Sequence, residues 1–121
     1  MNEASNPEVS KNAIVRKSFE FALTIIQYAG ALESERKYII ANQILKSGTS
    51  IGANIWESQN AESKADFIHK LKIAAKEAKE TEYWLLLCKN SSSYPAISDK
   101  LEKLLEIQKL LSRIIYSSKK A

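Results

Sequence analysis

The residues best placed for chemistry lie in one row. Gln43, Ser47, Ser50, Asn54 and Glu57 are spaced four, three, four and three apart, which puts all five on one face of a helix beside an isoleucine face. Polar side chains in such a row either form a binding site or make a hydrogen-bonded seam that fixes the register between helices or subunits. The seam is the preferred reading. Metal chemistry asks for more than is present. A dinuclear site in a helical protein takes paired Glu-x-x-His motifs, and the single histidine, His69, stands three residues after Asp66 as half of one. Glu77 and Glu80 share a face and with Glu57 could gather carboxylates, but glutamates beside Lys76 and Lys79 usually form solvated ion pairs. Cys88, the only cysteine, adjoins a leucine run and reads as a small buried hydrophobe rather than a nucleophile. The sequence has no phosphate loop, glycine-rich fingerprint or nucleophile elbow. No catalytic residue, metal site or cofactor is expected, so the chain reads as a non-enzyme.

The elements that must position these residues are helices. The chain has 121 residues, 45% apolar and 26% charged, with three glycines and two prolines. That balance excludes disorder, and so few turn residues exclude a sandwich or barrel. Residues 1–121 make one domain. No apolar run is long enough to span a membrane, and the polar start Met1-Asn-Glu-Ala-Ser is unlike a signal peptide. With one cysteine, a reducing cytoplasm is the expected location.

Helices are expected at about 7–29, 35–59, 64–90 and 98–118. Asn6 and Pro7 start the first and Gly30 stops it. Phe19, Ala22, Leu23 and Ile26 follow the spacing of a buried face, while Phe21, Ile25, Tyr28 and Leu32 form a second stripe that points elsewhere, for instance to another subunit. The second helix starts near Ser34 or Glu35 and carries Ile40, Ile44, Ile51 and Ile55. Its end is open, because Lys46-Ser-Gly-Thr-Ser-Ile-Gly52 reads locally as a cap followed by a loop. If the helix continues, Gly48 and Gly52 each cost about 1 kcal/mol relative to Ala, and close approach of another helix is the sensible compensation. Ser63-Lys-Ala-Asp66 opens the third helix as a variant capping box. The fourth starts near Ser98 or Asp99 and presents Leu101, Leu104, Leu105, Leu111, Ile114 and Ile115. Four long helices on short loops give an all-α, antiparallel up-down-up-down four-helix bundle.

Three stretches are more specific than periodicity. They are Gln43-Ile-Leu-Lys-Ser-Gly-Thr-Ser-Ile-Gly-Ala-Asn54, Ala61-Glu-Ser-Lys-Ala-Asp-Phe-Ile-His-Lys-Leu71 and Glu80-Thr-Glu-Tyr-Trp-Leu85. Together they resemble the bacterial four helix bundle protein family, also known as the 23S rRNA intervening-sequence proteins. That family is related to the accessory variability protein of diversity-generating retroelements. The resemblance implies a bundle that assembles into a ring-like homopentamer, a second helix continuing through Gly48 and Gly52, and no enzymatic activity. It also implies a link to nucleic acid, since family members are encoded within intervening sequences of ribosomal RNA genes. The retroelement relative binds nucleic acid and its reverse transcriptase. Gln43, Gly48, Ser50, Gly52, Asn54, Glu57, Glu80 and Trp84 match the family pattern as structural motif residues. Two departures remove positive charge: Trp56-Glu57-Ser58 stands where Ala-Glu-Gly or Arg-Glu-Ala is commoner, and a frequent Arg pair is reduced to Lys46.

The net charge is +4. The excess lies at the start of the first helix (Lys11, Arg16, Lys17) and the end of the fourth (Lys109, Arg113, Lys119, Lys120). In an up-down-up-down bundle these ends share a pole, and a ring would repeat that pole into a field for phosphates. Lysines near a helix C-terminus also complement the macrodipole and aid solubility. The expected partner is structured nucleic acid, RNA foremost, held by Arg16, Lys17, Arg113, Lys119 and Lys120, with Lys46 weaker. With no aromatic stacking platform, contacts should go to the backbone. The alternative is a protein–protein adaptor using the two-sided apolar helices and Trp56 or Trp84. Neither reading involves a membrane or a small-molecule substrate.

Overall fold

The computed structural model describes residues 12–120, which fold as α1 (Ala13–Ser34), α2 (Tyr38–Ser58), α3 (Lys64–Lys89) and α4 (Lys100–Lys120), with no strand among the described residues. Asn6, Pro7 and Lys11 lie outside the described residues. Asn12 caps α1: its side-chain oxygen accepts from the Ile14 N–H at 3.1 Å, while its amide nitrogen donates to Gln59 at 3.1 Å. One side chain thus closes the start of α1 and ties it to the end of α2.

Gly30 does not end α1, contrary to expectation. The helix runs one further turn and buries Leu32 completely. The stop is a Schellman motif instead. Arg36 takes a left-handed φ of 64°, its N–H bonds the Glu33 carbonyl, and the Lys37 N–H bonds the Leu32 carbonyl at 2.9 Å. This cap delays α2 to Tyr38, later than Ser34 or Glu35. Likewise α4 begins at Lys100 because Ser98, an expected start, holds a left-handed φ of 54°. At α3 the box forms in modified shape. Ser63 Oγ accepts from the Asp66 N–H at 3.0 Å, while the Asp66 carboxylate accepts from the N–H of Glu62 rather than of Ser63.

Helix α2 continues unbroken through both glycines. A Cβ on Gly48 would lie 2.8 Å from Ile25 Cγ2, and one on Gly52 would lie 3.2 Å from the Ser18 carbonyl oxygen. The two backbones approach where the side chains are missing, which is the compensation that the glycines require. The same approach decides which α1 stripe is inside. Phe21, Ile25, Tyr28 and Leu32 are buried, whereas Phe19, Leu23 and Ile26 are 45%, 48% and 50% exposed. The expected buried face is therefore the outer one.

Each helix packs on its chain neighbours, and α4 closes onto α1, with α1 opposite α3 and α2 opposite α4. The contacts α1–α2 and α2–α3 are the most extensive. The shared core includes Ile44, Ile51, Ile55, Leu71, Leu104 and Leu111, each at most 1% exposed.

Candidate functional site

The polar row on α2 faces α3, and only Ser47 in it is buried. Thr81 Oγ1 lies 2.9 Å from Ser47 Oγ and 2.8 Å from the Glu77 carbonyl. One hydroxyl hydrogen serves one bond well, so Thr81 donates to that carbonyl and Ser47 donates to Thr81. Glu57 pairs with Lys70 at 2.9 Å, which raises the Lys70 ammonium above its ordinary pKa. The Asn54 amide donates to the Ser50 carbonyl of its own helix at 2.9 Å, and Gln43 is exposed. The row reaches α3 at two points, Ser47 in the core and Glu57 in solvent, and Asn54 bonds within α2. Further along α3, Trp84 Nε1 donates to the Glu80 carboxylate at 3.0 Å, so that motif pair braces its own helix.

The structure does not bring Glu57, Glu77 and Glu80 together. Among the described residues no group of three or more His, Cys, Asp or Glu side chains is arranged to hold a metal ion. His69 is exposed. Cys88 is buried, and burial pushes its thiol pKa up. It adjoins Tyr28, whose hydroxyl donates to the Pro95 carbonyl at 2.7 Å. Burial, then the neighbouring Cys88, raises the Tyr28 pKa far above its ordinary value. Cys88 and Tyr28 are core groups.

The basic residues divide across the two sides of α4. On one side, Lys17 enters a groove of about 210 Å³ between α1 and α4, where it meets Glu20, Asp99, Lys103 and Glu106. It pairs with Glu106 at 3.4 Å, and carboxylates outnumber cations there. Arg16 is half-buried beside it, and Lys46 is exposed on α2, the helix across the core from α4. On the other side, Arg113 lines an open groove of about 560 Å³ between α3 and α4 with Lys79, Lys109, Gln108 and Ser112, over a floor of Ala75 and Leu105. Among the described residues no carboxylate lines it. Glu82 stands at its edge, accepting from Gln108 at 3.1 Å and Lys79 at 3.4 Å. The Gln108 bond first, then Lys79, holds the Glu82 carboxyl below its usual pKa. Beyond Arg113, Lys119 lies against Lys72, and this like-charge contact lowers the Lys119 pKa. Lys120 instead covers the ring of Tyr116 at 5.0 Å.

Lys72 and Lys79 are therefore site candidates that charge arithmetic along the chain missed. Their signal was present, since residues seven apart on a helix share a face. It was hidden because Glu62, Asp66, Glu77, Glu80 and Glu82 reduce the sum over residues 61–90 to +1. In space Glu80 turns to Trp84 and leaves the groove cationic.

A second surface is apolar. Phe19, Leu23 and Ile26 of α1 and Trp56 of α2, the last 41% exposed, line the outer side of the α1–α2 contact. A shallow groove of about 250 Å³ runs between Phe19, Ala22, Ala53 and Trp56, with no charged residue in its lining. No helix is long and apolar enough to cross a membrane among the described residues.

Four helices around one core, joined through a recognisable polar seam, define a small four-helix, all-α protein. Residues 10–117 match the model of the family described as 23S rRNA-intervening sequence protein, and the chain belongs to that family. It is also similar to a crystal structure from Bacteroides thetaiotaomicron VPI-5482, described as a protein with unknown function from the S23 ribosomal protein family. The two share 47% identity over 85% of this chain and 98% of that one, with a TM-score of 0.79. No curated protein matches the chain.

Proposed function

We propose that this is a non-enzymatic, cytoplasmic protein whose antiparallel up-down-up-down bundle assembles as a ring-like homopentamer and binds structured nucleic acid, RNA foremost. The contacts in favour of alternating helix directions run in opposite order along neighbouring helices: Ser18 with Gly52 and Ile25 with Gly48, Ser47 with Thr81 and Glu57 with Lys70, Lys17 with Glu106 and Tyr28 with Lys100. Self-association is supported by the uncharged α1–α2 surface, which exposes more contiguous apolar area than scattered surface residues would.

The observation that carries nucleic-acid binding is the final half of α4. Lys109, Arg113, Lys119 and Lys120 lie there with no acidic residue among them. Arg113, Lys119 and Lys120 would be phosphate contacts of this basic pole, Arg16 and Lys17 their neighbours from α1, and Lys46 a weaker contributor. Family membership adds the association with ribosomal RNA genes that the family's name records.

Fluorescence anisotropy with a labelled RNA stem at two salt concentrations tests this. Micromolar or tighter binding that falls steeply with salt is expected, because each neutralised phosphate releases counterions. Absence of binding at low salt overturns it. The exposed Phe19, Leu23, Ile26 and Trp56 then favour the second reading, a protein–protein adaptor, for which a pull-down insensitive to salt and nuclease is the signature.

A further inference from the structure

Resting on the reading that the protein binds nucleic acid, we infer that the phosphate backbone lies in the α3–α4 groove, on Lys72 and Lys79 of α3 and Lys109, Arg113 and Lys119 of α4. The α1 cations at the pole are then bystanders. Three observations carry this. First, the groove is lined by cations from two helices and by no carboxylate, whereas the groove that receives Lys17 has more acids than bases. A polyanion entering the first meets Lys79, Lys109 and Arg113 with Glu82 at one edge; entering the second, it meets Glu20, Asp99 and Glu106.

Second, the cations form a track. At about 1.5 Å per residue, Lys72 and Lys79 are ~10 Å apart along α3, and Lys109 and Lys119 are ~15 Å apart along α4. That is long enough to follow several phosphates of one strand. The floor of Ala75 and Leu105 is short and apolar, so it competes for no hydrogen bond, and Ser112 offers a neutral donor to phosphate oxygens. No aromatic residue lines the groove, so it reads backbone and shape rather than bases.

Third, Lys72 lies seven residues before Lys79 on α3 and so continues the same face, where its charge acts on Lys119 of α4. A phosphate between two ammonium groups converts their repulsion into two attractions. Glu82, occupied by Gln108 and Lys79, marks one edge of the track.

The test compares two variants that each remove two charges. Lys72→Gln/Lys79→Gln alters only the α3 side of the groove, and Arg16→Gln/Lys17→Gln alters only the α1 part of the pole. Each is titrated against a labelled RNA hairpin across a salt series, with circular dichroism and sedimentation confirming an unchanged fold and assembly. The groove variant should lose about tenfold or more in affinity, and its log K–log salt slope should fall by about two. The α1 variant should change both by much less. Equal or greater loss in the α1 variant, or wild-type binding by the groove variant, overturns the groove while leaving nucleic-acid binding intact. Failure of the wild-type protein to bind overturns both.

Discussion

Gly48 and Gly30 carry the same residue type into mid-helix positions with opposite consequences. A Cβ at Gly48 would stand 2.8 Å from Ile25, itself fully buried, whereas a Cβ at Gly30 would meet nothing within 4 Å. Alanine gains about 1 kcal/mol of helix propensity at either site. At Gly30 that gain should appear nearly whole, so Gly30→Ala stabilises. At Gly48 overpacking of about 1–3 kcal/mol outweighs it, so Gly48→Ala destabilises. Urea unfolding of the two variants checks the difference in sign, and equal stabilities would mean that α1 and α2 are not in close contact. Tyr28 carries a pH prediction. Its folded pKa is raised above the ordinary 10.0, so the folded state holds the proton more tightly than the unfolded one. Its contribution is complete below pH 10.0 and is lost as the pH rises above that value. Tyr28→Phe should lose about 1 kcal/mol at neutral pH through the missing bond to Pro95, and its stability should then fall less steeply in alkali than that of the wild type.

Along α2, the elements show what the polar row is for. Thr81 receives from Ser47 and donates to its own helix, so the pair closes the deepest part of the α2–α3 contact. Thr81→Val strands the buried Ser47 hydroxyl from its partner across the seam and should cost about 1–3 kcal/mol. Ser47→Ala leaves Thr81 its carbonyl acceptor and should cost less. Thermal melts of the two single variants and the double variant give the coupling, and a larger loss for Ser47→Ala would reverse the assigned donor directions. That the five residues share one face of α2 was readable from their four-three spacing. That only Ser47 among them is buried was not, because solvent exposure depends on where α3 lies, which the spacing on α2 does not encode.

Taken whole, the molecule has two unlike grooves: one without charged lining at the α1–α2 contact and one lined by Lys79, Lys109 and Arg113 at the α3–α4 contact. These contacts lie across the core from each other, since α1 opposes α3 and α2 opposes α4. If the groove without charged lining is where copies meet, the α3–α4 grooves remain outside and accessible. The proposed ring of five should sediment at about five times the chain's 13.6 kDa. Leu23→Glu/Ile26→Glu, at side chains 48% and 50% exposed, should give a folded single chain with unchanged helical content. A double variant that keeps the wild-type mass would move the interface elsewhere.

By itself the sequence determined the four helices, the continuation cost at Gly48 and Gly52, and the α2 row as one helix face. Each is set by local spacing, and helical periodicity is a property of neighbouring residues. Tertiary structure alone decided which stripe of α1 is buried, because both stripes have helical spacing and only the approach of Ile25 and Ser18 to the glycines distinguishes them. It also decided the ends of α1 and α4, through the left-handed Arg36 and Ser98. And it decided where charge acts. Lysines and acids that largely offset one another over residues 61–90 leave Lys79 with Lys109 and Arg113 in one groove, and a field depends on distance in space rather than on position in the chain.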